Sequence, residues 1–164
     1  MSESELYFKG KEIPATPTEM VEQIRLLEDR IKERPQLEFN TEHVFHAGLY
    51  SRTVRIPAGV LFTSVLVKIP TMVIINGICD ALLGDSRQRI HGYNVIPAAA
   101  GRKQVYVTLS NTELTMVFHT SATTVEEAEA EFTDETEFLM SHGLENDIVK
   151  TEGSCLESAP QLHS

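Results

Sequence analysis

The sequence predicts a mainly β protein, an antiparallel sandwich or barrel with a helix on either side. Three observations carry that reading. Short apolar runs rich in β-branched residues recur through the middle of the chain, turn residues punctuate them about every 8–20 positions, and no helical pattern long enough for a crossover stands between them. At 164 residues with 41% apolar content, the chain fits one domain with a real core. The two cysteines, Cys79 and Cys155, lie far apart without C-x-x-C spacing. They offer neither a thiolate zinc knuckle nor a disulfide framework, and a reducing compartment is the expectation.

Charge divides the chain into blocks. Residues 1–42 carry six Lys/Arg against ten Asp/Glu, residues 43–120 seven against three, and residues 121–164 one against eleven. A weakly basic middle thus sits between acidic flanks, read as solvated helices and tails, or as an acidic end that shields a basic surface. The net charge of −10 and the single adjacent basic pair in the middle, Arg102-Lys103, argue against a nucleic-acid partner.

The elements follow in order. Residues 1–42 are expected to form an N-terminal arm with one amphipathic helix. Thr16-Pro17-Thr18-Glu19 reads as N-cap, N1 proline and N3 glutamate. Met20, Ile24, Leu27 and Ile31 then line one face, and Pro35 stops the helix near Arg34. That stripe is expected to pack on its own domain or on a partner subunit. Within residues 43–120, Val60–Val67, Thr71–Ile75, Val105–Leu109 and Leu114–His119 read as strands. Pro57-Ala58-Gly59, Asn76-Gly77, Gly84-Asp85, His91-Gly92, Ala100-Gly101 and Ser110-Asn111 read as turns between them. Over 121–142 a second capping box, Thr124-Val125-Glu126-Glu127, opens an acidic helix expected at about 124–140, with Val125, Ala128, Phe132 and Leu139 as its thin apolar stripe. Residues 143–164 read as a flexible acidic tail.

Four pieces of the middle block resemble the cupin superfamily. Arg55-Ile56-Pro57-Ala58-Gly59-Val60-Leu61 is similar to the opening of the first cupin motif and Val73-Ile74-Ile75-Asn76-Gly77-Ile78 to its close. Ala100-Gly101-Arg102-Lys103 resembles the opening of the second motif, and Val117-Phe118-His119-Thr120 the last strand. The resemblance spans Tyr50–Thr120, about 70 of 164 residues, and is most like the small cupin-like proteins of tailed bacteriophages. It implies a double-sheet jelly-roll barrel.

Metal-binding cupins set a histidine pair and a glutamate in the first motif and another histidine in the second. Here Val67-Lys68-Ile69-Pro70-Thr71-Met72 and Gln104-Val105-Tyr106-Val107-Thr108 occupy those stretches. No ligand carries over, so neither metal nor other cofactor is expected. His43 and His46, three apart on a strand, face opposite sides, and His91 and His119 read as loop and strand-end residues. Cys79 reads as a buried small hydrophobe, and Asp80 and Asp85 as turn residues about Gly84. The resemblance implies that Lys68 stands at the barrel mouth beside Arg102 and Tyr106, either as a small anion or sugar-acid site or as a rim lysine keeping its head in water.

Two functional classes follow. One is a non-catalytic barrel acting as a structural or interaction protein, phage-encoded, either a virion component or a binder of a host factor. The other is a metal-independent small-molecule cupin, a sugar isomerase or epimerase or a sugar-acid binder, using Lys68, Arg102 and Tyr106. A homo-oligomer is expected, through the sheet or through Met20, Ile24, Leu27 and Ile31, together with a protein partner from phage or host. No apolar run is long enough for a membrane span, so the expected location is the (host) cytoplasm or the virion.

Overall fold

A computed structural model describes residues 7–139 and 147–151. Eight strands form one continuous curled sheet that closes as a jelly-roll half-barrel: β1 (Thr41–His46), β2 (Leu49–Ile56), β3 (Leu61–Thr63), β4 (Thr71–Leu83), β5 (Ser86–Ala98), β6 (Val105–Thr108), β7 (Thr112–His119) and β8 (Asp147–Lys150). The spatial order is β3-β6-β4-β7-β2-β1-β8, with β5 also paired to β4. Helix α1 (Thr18–Ile31) precedes the strands, and α2 (Val125–Phe132) with a 3-10 turn (Thr136–Phe138) follows β7. The expected mainly β antiparallel barrel with two helices is the fold observed, with one parallel pair, β1–β8, added.

The long β4–β5 hairpin builds both layers. β4 pairs with β7 through Met72–Asn76 and with β6 through Cys79–Leu82, so its neighbour on that side changes at Gly77 within the one curled sheet. Only glycine fits there. Its φ is +146°, and a Cβ would lie 2.6 Å from Thr112 Oγ1 and 2.9 Å from the Asn111 carbonyl oxygen. Asn76-Gly77 and His91-Gly92 are therefore not turns, as their composition suggests; Gly77 and Gly92 face one another within the hairpin. Gly84-Asp85 is the true reversal, joining Leu83 to Ser86 with Gly84 at φ +64°. Asp80 is likewise a strand residue, chelated by Arg87 at 2.6 Å and Arg89 at 2.7 Å across the hairpin.

A second hairpin escapes the sequence reading. β1 and β2 are joined through Ala47 (φ +52°) and Gly48 (φ +71°), two successive left-handed residues of the kind a type I′ turn needs. Alanine is an unusual occupant of the first, so the turn leaves little compositional trace.

The flanks are part of the same body. Ile13 is fully buried in the core with Val73, Ile75 and Ile90, and Phe8 and Ile13 bond to the backbone of β5 at Arg89 and Pro97. Thr16 does not cap α1. Its hydroxyl binds the Lys103 backbone instead, and Pro17 occupies the cap position without a side-chain bond. Ile24 is 2% exposed, and Met20, Ile24 and Leu27 share a cleft with Leu82, Val105 and Val107. Most of the stripe thus lies against its own barrel.

At the other end Thr124 caps α2 as its sequence suggests, accepting from Glu127 N at 3.2 Å. The helix stops at Phe132, half the expected length. There the chain turns back onto the barrel: Lys68 N donates to the Phe132 carbonyl and Thr133 Oγ1 to the Leu66 carbonyl, both at 2.8 Å. The expected stripe still holds, since Val125, Ala128, Phe132 and Leu139 pack with Phe45, Tyr50 and Phe118. Beyond it, Asp147–Lys150 is not a loose tail but β8, laid parallel on β1. Most of the expected tail, with Cys155, lies outside the described residues.

Candidate functional site

Alternation along the strands turns Arg52 and Val54 of β2, Val73 of β4, Tyr106 of β6 and Met116 of β7 toward one interior space. The Thr63–Val67 segment, Phe132 and Leu139 close it, leaving a cavity of about 120 Å³. Its lining is mostly apolar, interrupted by Arg52, Arg102, Gln104 and Tyr106.

Of the three residues the sequence places at a common mouth, two come together. Arg102 is 2% and Tyr106 3% exposed, and both line the cavity. Lys68 does not line it. Its side chain is 40% exposed and pairs with Asp134 at 2.6 Å on the outside. The reason is local: Val67, not Lys68, faces inward, and Lys68 N is committed to Phe132 at the end of α2. Lys68 is thus the rim lysine of the two readings.

The Arg102 guanidinium ties three chain segments together. Nη1 donates to the Ala99 carbonyl at 2.9 Å and the Ile69 carbonyl at 3.3 Å, and Nη2 to Thr71 Oγ1 at 2.6 Å. Among the described residues no carboxylate pairs with it. Burial lowers its pKa to about 10, which still leaves it cationic at neutral pH. Tyr106 donates to Gln104 Oε1 at 2.7 Å and stacks on Phe62 with ring centres 4.9 Å apart. Its burial raises the phenol pKa far above the usual range.

Sequence reasoning missed two groups of polar residues. Arg52 and Glu129, both buried, pair at 3.2 Å between β2 and α2, with Arg52 also over the Phe132 ring. Beside them His43 is fully buried and hydrogen-bonded to Tyr50 at 2.6 Å, while burial pushes the Tyr50 phenol up to about 12 against the lowering effect of Arg52. The second group centres on Lys103, whose Nζ, 2% exposed on its side chain, binds Glu28 at 2.7 Å, the Ser64 carbonyl at 2.8 Å and Glu135 at 3.7 Å. Glu135 also holds Arg25 and accepts from Leu66 N. This knot fastens α1 and the 3-10 turn to the barrel. In the sequence Lys103 stands only as the second member of the basic pair Arg102-Lys103 and of the Ala100–Lys103 motif, neither of which marks its partners.

Among the described residues, no three of His, Cys, Asp and Glu converge. His43 points inward and His46 outward, where it bonds Thr151; His91 and His119 are exposed on β5 and β7. Cys79 is fully buried, and burial and then Asp80 raise its thiol to about 11.

No protein-family model and no curated protein matches the chain. Among solved structures it is similar to the Cupin_2 domain of an XRE family transcriptional regulator from Enterobacter cloacae, at 11% identity over 51% of this chain and 98% of that one, TM-score 0.42. It is also similar to a cupin 2 conserved barrel domain protein from Salinispora arenicola, at 13% identity over 55% and 84%, TM-score 0.42. The cupin domain of Schizosaccharomyces pombe Cnp3 resembles it at 15% identity over 63% and 74%, TM-score 0.42. Likenesses this distant carry no argument about activity, ligand or partner; the barrel rests on its own strand order, and its chemistry on its own residues.

Proposed function

We propose that this chain is a non-catalytic barrel that works by association, as a structural or interaction protein. The observation that carries the reading is what lines the interior. Its ionisable groups are two arginines and a tyrosine whose pKa is raised by burial, so nothing there exchanges a proton near neutrality. An isomerase or epimerase needs an acid and a base across its substrate, and this lining supplies neither. The middle-block motifs between Tyr50 and Thr120, which resemble those of tailed-phage cupin-like proteins, support a phage-encoded chain acting in the host cytoplasm or the virion.

The outer face supports association. Met72 on β4 and Tyr93 and Val95 on β5 are 40%, 68% and 50% exposed, and Ile74 stands directly opposite Val95. Such a face on adjacent strands invites cover. The occupant proposed is a second copy of this chain, set by a two-fold axis that brings the same patch together. The arm bonds the β5 backbone at Arg89 and Pro97, and among the described residues it leaves the stretch between them without a backbone partner on that side, a self-complementary strand edge. Sedimentation of variants tests the place of contact. Tyr93→Asp/Val95→Asp should give a folded monomer, while Ile24→Asp/Leu27→Asp, aimed at a stripe already packed on the barrel, should leave the oligomer assembled. The reverse pattern would move the contact to α1.

A further inference from the structure

We infer that the barrel cavity is a receptor site for a small monocarboxylate, held by Arg102 and Gln104. This goes beyond the association reading and stands without it. The observation is a pair of unsatisfied donors. Among the described residues Arg102 Nε and Gln104 Nε2, both fully buried, have no hydrogen-bond partner, and their residues line the same cavity. Buried donors left unmade are costly, and native proteins keep few of them.

The two orphans share a sign. Each is an N–H, one on a cation, and Tyr106 sets the Gln104 amide by donating to its oxygen, which leaves the NH₂ side unengaged. A partner for both must therefore be an acceptor, and a negative one gains most, because among the described residues the Arg102 side chain donates only to uncharged groups, two carbonyls, the Thr71 hydroxyl and the Met116 sulfur. The Arg102 Nε–H and the Gln104 amide N–H suit the two oxygens of a carboxylate. The remaining wall, Val65, Val67, Val73, Leu114 and Phe132, suits a short apolar body. The volume of about 120 Å³, where one water needs roughly 10–15 Å³, limits the ligand to a few carbons. Phe138 lines the cavity and is 57% exposed, which places the opening beside the 3-10 turn.

The probes are 3-methylbutanoate and its neutral isostere 3-methylbutanamide, titrated calorimetrically into the full chain at pH 7. The carboxylate should bind saturably, one per chain, with Kd of about 1 mM or tighter, and the amide about tenfold more weakly or worse. Arg102→Met removes bonds to three segments and risks the fold, so the deciding variant is Gln104→Glu. It keeps an acceptor for Tyr106 and sets a negative charge where the ligand's would lie. It should remain folded by circular dichroism and lose binding by at least about tenfold. Absence of saturable binding to the folded wild type would overturn the proposal. So would equal binding of acid and amide, or full binding by Gln104→Glu. None of these readouts depends on whether the chain self-associates, so failure here and failure of the association reading are separate results.

Discussion

Replacing Glu129 with leucine should cost this protein a large part of its stability. The Glu129 and Arg52 side chains are 6% and 8% exposed and pair at 3.2 Å, so the substitution takes the carboxylate away from a buried guanidinium between β2 and α2. Breaking a buried pair from one side typically costs about 3–5 kcal/mol, because the remaining charge stays desolvated without its counterion. At about 2–4 °C per kcal/mol for a chain of this size, the melting temperature should fall by about 6–20 °C. Arg52→Met/Glu129→Leu, which removes both charges and leaves apolar volume against Phe132, should recover most of that loss. The chain has no tryptophan, so urea denaturation is best followed by far-ultraviolet circular dichroism. A single variant within about 1 kcal/mol of wild type, or a double variant no better than the single, would refute the assignment of a desolvated pair clamping α2 to the barrel.

Three further outcomes follow from the geometry. Ala47→Asn places a residue tolerant of left-handed backbone at φ +52° before Gly48; it should raise stability by about 0.5–1 kcal/mol in the same denaturation assay. Glu135 is held below its ordinary carboxylate value of 4.5: burial alone would raise it, but the Leu66 amide, Arg25 and Lys103 together outweigh that. A depressed folded pKa means the unfolded chain takes up the proton first, so this contribution is complete above about pH 4.5 and is lost as pH falls through the folded value. Melting curves of Glu135→Gln should accordingly depend less on pH on the acid side than wild type. Removing residues 144–164 takes away β8, whose Ile148 and Val149 are half-exposed on the β1 edge; the melting temperature should fall by about 3–6 °C, equivalent to about 1–2 kcal/mol. An unchanged value would mean that β8 adds nothing to the barrel.

Strands with clear β-branched runs were legible from the residues alone, because a half-buried sheet imposes its own period on the sequence. Glycine misled where it served close approach rather than reversal: Gly77 is fixed by Thr112 behind it, a tertiary contact with no local signature. Ala47 hid a real turn for the opposite reason, a left-handed residue without the usual composition. α2 was correctly capped but overlong, since its end is set by backbone bonds to Leu66 and Lys68 from a distant segment. Arg102 and Tyr106 were found through motif position, whereas Arg52, Glu129 and Lys103 were not, because outside a motif a buried charge is recognisable only from the partners that the fold brings to it. Lys68 illustrates the limit of motif alignment. A register fixed by Val67 facing inward turns its neighbour to water.

Association through the outer sheet face, as proposed, is tested directly by the mass in solution. Sedimentation equilibrium of the wild-type chain at tens of micromolar should return twice the chain mass of 18.3 kDa, with a shift toward the single-chain mass on dilution. A single-chain mass held throughout that range would contradict it.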